Sequence, residues 1–206
     1  ASYESLGDNG GVARAKRNLA TLYQSIGNYS EALEYNQQAL QDFTVLGDNL
    51  NISRTLSGIG LAYEATGDYP LALEYLHRSM DISESINNAT GVASAHGNIG
   101  NVYLALGSYV EAEQHCRKAL ELFTHLEAIP NRALAIGNLG HVLRAANKPL
   151  EALSQYETSL AIHTELGDVN TIATILGDVI HVHIELCDYD RAQELLRQQE
   201  GLSIAD

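Results

Sequence analysis

The chain repeats itself every 40 residues, and this period constrains the fold more than any other property of the sequence. Aligning segments 7–46, 47–86, 87–126, 127–166 and 167–206 puts Ala32, Ala72, Ala112, Ala152 and Ala192 in one column. A second column holds Tyr23, Tyr63 and Tyr103, then Leu143 and His183. A third holds Gly27, Gly67 and Gly107, then Asn147 and Cys187. A period of about 20–50 residues marks an array in which each unit buries its apolar face only against its neighbours. The expectation is a single elongated domain of five units with a continuous core, rather than one or two globular lobes.

Each unit reads as two helices. In the second, Ile52, Leu56, Ile59 and Tyr63 recur at helical spacing, so a first helix starts near Asn49–Leu50 and stops at Gly67. Glycine suits that stop because it takes the left-handed conformation without a Cβ penalty. Asp68 is placed to cap a second helix that has Pro70 in its first turn, carries Leu73, Leu76 and Met80, and runs to Ile86. Asn28 with Glu31, and Ser108 with Glu111, have the spacing of capping boxes. Gly60, Gly100 and Gly140 share one phase on the first helix, where they and the Ala32 column mark close helix crossings. A helical glycine otherwise costs about 0.5–1 kcal/mol, so its return at one phase points to packing.

These residues carry a resemblance. Ile59-Gly60-Tyr63-Gly67-Tyr69-Ala72-Tyr75 and Ile99-Gly100-Tyr103-Gly107-Tyr109-Ala112-Ala119 resemble the tetratricopeptide repeat (TPR) pattern, and the agreement recurs through essentially the whole chain. The usual unit is shorter, and its closing Pro is replaced here by Thr44, Glu84, Thr124 and Thr164, so the second helix is extended. The 40-residue variety is similar to repeats of kinesin light chains, of spindle-orientation adaptors and of bacterial signalling proteins. The resemblance implies an all-α fold, a right-handed α-solenoid of five helix-turn-helix repeats and ten antiparallel helices. Units four and five depart from the pattern at Leu143, Asn147, Pro149, Ile180, His183 and Cys187, where looser packing is expected.

The resemblance also implies that the first helices line a concave groove for a peptide. By phase this selects Arg14, Arg17, Asn18, Thr21 and Gln24 in the first unit, and Arg54, Glu64, Asn98 and Asn101 in the next two. The last two contribute Asn138, His141, Arg144, Asp178 and His181. Asn18, Asn98 and Asn138 share a column in which Gly58 and Asp178 take the other places. A carboxamide both donates and accepts, so it can pair with a peptide backbone, or it can tie neighbouring helices together. Arg14, Arg17 and Arg54 form a basic cluster suited to a carboxylate or phosphate, or to surface ion pairs. Asp178 and Glu185 make the far end acidic, so a peptide with unlike ends would be oriented by charge.

The net charge of −14 argues against a nucleic-acid phosphate binder and against docking on an anionic membrane. No apolar run approaches the roughly 18 residues of a membrane span. Cys116 and Cys187 lie at different phases in units that do not adjoin, so a disulfide is not expected and a reducing, cytoplasmic setting is. His141, His181 and His183 invite a metal reading, but residues i and i+2 on a helix point about 200° apart, so His181 and His183 do not share a ligand. His115-Cys116 lacks an orienting acid, and every glycine has a packing or turn phase. No catalytic residue, metal or cofactor is expected.

The expected function is non-enzymatic: a protein-interaction module that takes a protein or peptide, including one with an acidic segment. The alternative is a regulatory or oligomerising module of a larger signalling enzyme such as a nucleotide cyclase or kinase. Residues 1–6 match the tail of a repeat, and 201–206 the phase of Ala161–Leu166, so the chain reads as part of a longer array with uncapped ends open to self-association.

Overall fold

The computed structural model describes residues 8–203, with side chains to residue 200. Residues 1–6, read above as the end of a preceding repeat, and the chain end from 204 lie outside them. Ten helices follow one another: α1 (Asn9–Ser25), α2 (Tyr29–Leu46), α3 (Asn49–Thr66), α4 (Tyr69–Ser85), α5 (Ala89–Ala105), α6 (Tyr109–His125), α7 (Ile129–Ala145), α8 (Pro149–Leu166), α9 (Val169–Glu185) and α10 (Tyr189–Ser203). Each 40-residue unit supplies two, and no strand occurs among the described residues.

The helices stop at a period of 20, half that of the sequence repeat. Gly27, Gly47, Gly67, Gly107 and Gly167 have φ between 66° and 82°, and Asn87, Glu127, Asn147 and Cys187 take φ of 52–60° at the remaining stops. After each stop the next N–H reaches back five residues, as in Asn28 N to Tyr23 O (2.8 Å), Asp48 N to Phe43 O (3.1 Å) and Lys148 N to Leu143 O (2.9 Å). This left-handed closure satisfies carbonyls that the helix end would orphan. The degenerate units thus keep the turn even where glycine is lost, at a left-handed cost of roughly 1–2 kcal/mol for an ordinary side chain.

Helix starts are less uniform than the sequence suggests. Asp8, Asp48, Asp68 and Asp168 accept the N–H three residues on, from Gly11, Asn51, Leu71 and Thr171. Asn88 does the same for Gly91 at 3.1 Å. Asn28 and Ser108 make no side-chain cap, so the capping boxes expected there are not formed. A carboxylate gains attraction to the positive helix end as well as the hydrogen bond, whereas these neutral side chains gain only the bond.

Contacts divide the chain into two compact units that meet after Val102, within α5. In the first, α1 packs on α2, α2 on α3 and α3 on α4. Its core includes Ala13, Ala39, Phe43, Ile52 and Leu56, with Leu40, Tyr75 and Ile82 against them. Gly60 is a crossing point: a Cβ there would lie 2.7 Å from Leu76 Cγ. Tyr23 stacks on Tyr35 (centroids 5.4 Å apart) and Tyr63 on Tyr75 (5.5 Å).

In the second unit α6 packs on α7, α7 on α8, α8 on α9 and α9 on α10. Its core includes Cys116, Leu139, Val142, Leu143, Tyr156, Leu176, Val179 and Val182. Leu143 takes the tyrosine column, and the aromatic pair moves to His141–Tyr156, with centroids 5.3 Å apart. A Cβ on Gly140 would lie 2.6 Å from the Tyr156 ring. The fourth repeat therefore packs as tightly at its crossing as the second, and the looseness expected of it is absent there.

Candidate functional site

The first unit gathers the predicted arginines. Arg14 and Arg17 lie on α1 and Arg54 on α3, close enough that burial, then repulsion from Arg54, draws the Arg17 guanidinium below its ordinary pKa. Arg17 Nη1 donates to Asn51 Oδ1, and Asn51 Nδ2 donates in turn to Asp48 Oδ2 at 2.7 Å. Those hydrogen bonds from Asn51 are the main reason the Asp48 carboxyl lies below the usual carboxylate range. The Arg17 guanidinium also lies over the Phe43 ring, 6.0 Å from its centroid. Arg17 is thus held by two neighbours, Asn51 and Phe43. Arg14 is exposed and pairs loosely with Asp8, at 3.7 Å. Arg54 is exposed and has no hydrogen-bond or ion-pair partner among the described residues.

The carboxamide column behaves unevenly. Asn18 is exposed, and Asn101 is half-buried. Asn98 Nδ2 donates to Ser57 Oγ at 3.2 Å, from α5 to α3. At Gly58, where the column has no side chain, two amides from the first repeat come in. Gln24 Nε2 donates to Gly58 O at 2.8 Å, and Asn36 Nδ2 lies 3.3 Å from the Cβ position of Gly58. Asn36 is buried and its Nδ2 has no hydrogen-bond partner among the described residues. Sequence reading missed Asn36; the available signal was a polar residue in the column of Leu76, Cys116 and Tyr156. Glu64, also on α3, has its carboxyl pKa raised by burial.

The second unit brings Asn138, His141 and Asp178 to one small cavity of about 110 Å³, beside Tyr156 and Ser159. His141 Nδ1 is 2.9 Å from the Tyr156 hydroxyl and its Nε2 is 3.7 Å from Asp178. Burial, then the Asp178 charge, pushes the Tyr156 phenol well up. Arg144 pairs with Glu185 at 3.2 Å. The acids expected to make this end negative are each matched to a base of the preceding repeat. His181 is exposed, and His183 Nδ1 lies 3.0 Å from Asp188. No group of three or more His, Cys, Asp or Glu able to hold a metal occurs among the described residues. No helix there is long and apolar enough to cross a membrane. Cys116 and Cys187 are both free thiols.

A second departure from the repeat also went unnoticed in the sequence. Phe43 and Phe123 recur at one phase of the second helix, where the second, fourth and fifth repeats carry Ser83, His163 and Ser203. Around Ser83 the first unit has a cavity of about 360 Å³, whose lining includes Ser53, Arg54, Ser57, Ser79 and Gly91. Apart from Gly91, only polar side chains border it.

The family model described as Tetratricopeptide repeat matches residues 11–85 and 91–165. No curated protein matches the chain in sequence. Among solved structures it is similar to BtubC (BKLC) from P. vanneervenii, at 21% identity and a TM-score of 0.83, over 98% of this chain and 84% of that one. It is similar also to a candidate kinesin light chain from Podosopora anserina with nearly identical TPR-like repeats, at 19% identity and TM-score 0.72, over 92% and 94%. A Rap protein complexed with Competence and Sporulation Factor shares 17% identity at TM-score 0.83, over 92% of this chain and 53% of its own length. These likenesses carry the all-α repeat fold.

Proposed function

Because the chain belongs to the tetratricopeptide repeat family, we propose that it is a protein-interaction module whose first unit takes an acidic polypeptide segment across its first helices. The carrying observation is the Arg14–Arg17–Arg54 cluster in a chain of net charge −14. Like charges held together against their own repulsion are stabilised by an incoming carboxylate, which the guanidinium fork binds through two N–H groups. Arg17 is the fixed element, braced by Asn51 and Phe43, and Arg14 and Arg54 are exposed to move onto a ligand. Asn98 and Asn101 on α5 would add backbone pairing within the same unit. In the second unit Asn138, His141 and Arg144 offer comparable polar groups. The Rap neighbour, solved with a factor bound, supports a binding role for this fold.

The test is fluorescence-anisotropy binding of an Asp/Glu-rich peptide to the full chain over a salt series. Replacing Arg14 and Arg17 together with Ala should weaken binding about tenfold at low salt and flatten its salt dependence. Equal affinity of the variant at every salt concentration refutes the cluster's role. Circular dichroism checks that the loss of the Arg17 brace has not unfolded α1.

A further inference from the structure

We propose that the Ser83 cavity of the first unit is a binding pocket for a phosphate-type oxyanion, either inorganic phosphate or a phosphomonoester. It goes beyond the acidic-segment reading: Arg54 belongs to both sites, but neither Arg14 nor Arg17 lines the pocket, so substituting those two tests the readings apart.

The lining comes from three helices: Ser53, Arg54 and Ser57 on α3, Ser79 and Ser83 on α4, and Asn88 with Thr90, Gly91 and Ser94 at the start of α5. Two of its hydroxyls are already committed. Ser53 donates to Leu50 O at 3.0 Å and Ser79 to Ser53 O at 2.8 Å. Ser83 differs. Its residue is 1% exposed and its Oγ has no partner, in a setting where an unmet hydroxyl costs about 1–3 kcal/mol. Ser57 Oγ accepts from Asn98, which leaves its own proton to give. Thr90 and Ser94 add two more hydroxyls.

The charge pattern has one sign. Arg54 is the single charged side chain in the lining, and it has no acidic partner among the described residues. The start of the 17-residue helix α5 faces the same cavity and brings the positive end of its dipole. Gly91 makes that approach possible: a Cβ there would stand 2.5 Å from Ser83 Oγ and 2.5 Å from Asn88 Nδ2. A guanidinium, a helix start and hydroxyl donors on three sides suit an anion with three or more oxygens. A carboxylate would present two oxygens at one edge and leave donors unmet. The cavity, about 360 Å³, also has room beyond a bare tetraoxyanion for the carbon portion of an ester.

The test is an NMR titration of the full chain, following backbone amides, with inorganic phosphate, O-phospho-L-serine and acetate as separate probes. Saturable shifts at Ser83, Thr90 and Gly91 are expected with both phosphate compounds and not with acetate. Arg54→Ala should weaken phosphate about tenfold, and Ser83→Ala, which keeps the cavity, about threefold. Ser83→Phe restores the side chain of the first and third repeats at this phase, fills the space and should abolish binding. The pair Arg14→Ala and Arg17→Ala should leave it intact. Tighter phosphoserine identifies a phosphorylated partner as the source, and equal affinities identify free phosphate. The absence of saturable shifts at those amides, undiminished binding in a folded Ser83→Phe or in Ser83→Ala, or acetate binding as tight as phosphate overturns the proposal.

Discussion

Replacing Ala128 with Asp should stabilise the fourth repeat. Ala128 is the N-cap of α7 and occupies the column of Asp8, Asp48, Asn88 and Asp168, yet it makes no side-chain cap. Its backbone, at φ −80° and ψ 77°, already matches Asp48 (−83°, 79°) and Asp168 (−85°, 81°). Arg132 N bonds Ala128 O at 2.8 Å as Ile52 N bonds Asp48 O, so the helix start is in place. Asn131 N is the counterpart of the Asn51 and Thr171 donors. A cap at such a site is worth about 0.5–2 kcal/mol, with part of it from the carboxylate at the helix's positive end. At about 2–4 °C per kcal/mol for a chain of this size, Tm should rise by about 1–8 °C at pH 7, read by circular dichroism. Hydrogen exchange in the first turn of α7 should slow in parallel. This matters because a repeat array need not unfold in one step.

The pH dependence separates a true cap from a general effect. Asp48 and Asp168 have carboxyls below the usual range, mainly through side-chain hydrogen bonds from Asn51 and Thr171. A depressed folded pKa contributes stability that is present above the unfolded value of about 3.9 and lost as pH falls through the folded one. The advantage of the variant should therefore shrink below about pH 4. A Tm unchanged or lowered at pH 7, or a gain that persists in acid, refutes the reasoning.

Gly140→Ala should destabilise by about 1–3 kcal/mol in urea denaturation, because the added methyl meets the buried Tyr156 ring. Gly137→Ala, one turn away with only Ser159 Oγ at 3.6 Å, should instead stabilise by about 0.5–1 kcal/mol. The same sign for both defeats the crossing-point explanation. Cys116 is buried and its thiol is pushed up to about 11, so a maleimide at pH 8 should label exposed Cys187 and leave Cys116 unmodified until the chain unfolds. Equal labelling rates in the native chain would contradict the burial of that thiol.

The repeat by itself determined the helices, their order and most of their limits. Ala72, Gly60 and Gly67 each serve a requirement repeated in every unit, whether close approach or left-handed closure, and a period exposes such requirements without coordinates. The stop at Glu127 was not legible, because tertiary packing imposes a left-handed turn there on a residue that does not prefer it. The capping boxes at Asn28 and Ser108 failed for the converse reason: spacing permits a bond but does not align one.

The candidate site followed the same division. Sequence phase named Arg14, Arg17, Arg54, Asn98 and His141, but only the structure decided which were bound to neighbours. Arg17 is held by Asn51, Asn98 reaches Ser57, and His141 lies between Tyr156 and Asp178, whereas Arg54 has no hydrogen-bond or ion-pair partner among the described residues. Those pairings join residues 15 to 41 positions apart, so their geometry depends on how whole helices settle rather than on local spacing. The Ser83 cavity is the clearest instance. Its mark, a serine at the phase of Phe43 and Phe123, stands in the sequence. That this serine borders a space facing Arg54 and the start of α5, with its hydroxyl unpaired among the described residues, is a consequence of three-dimensional packing alone.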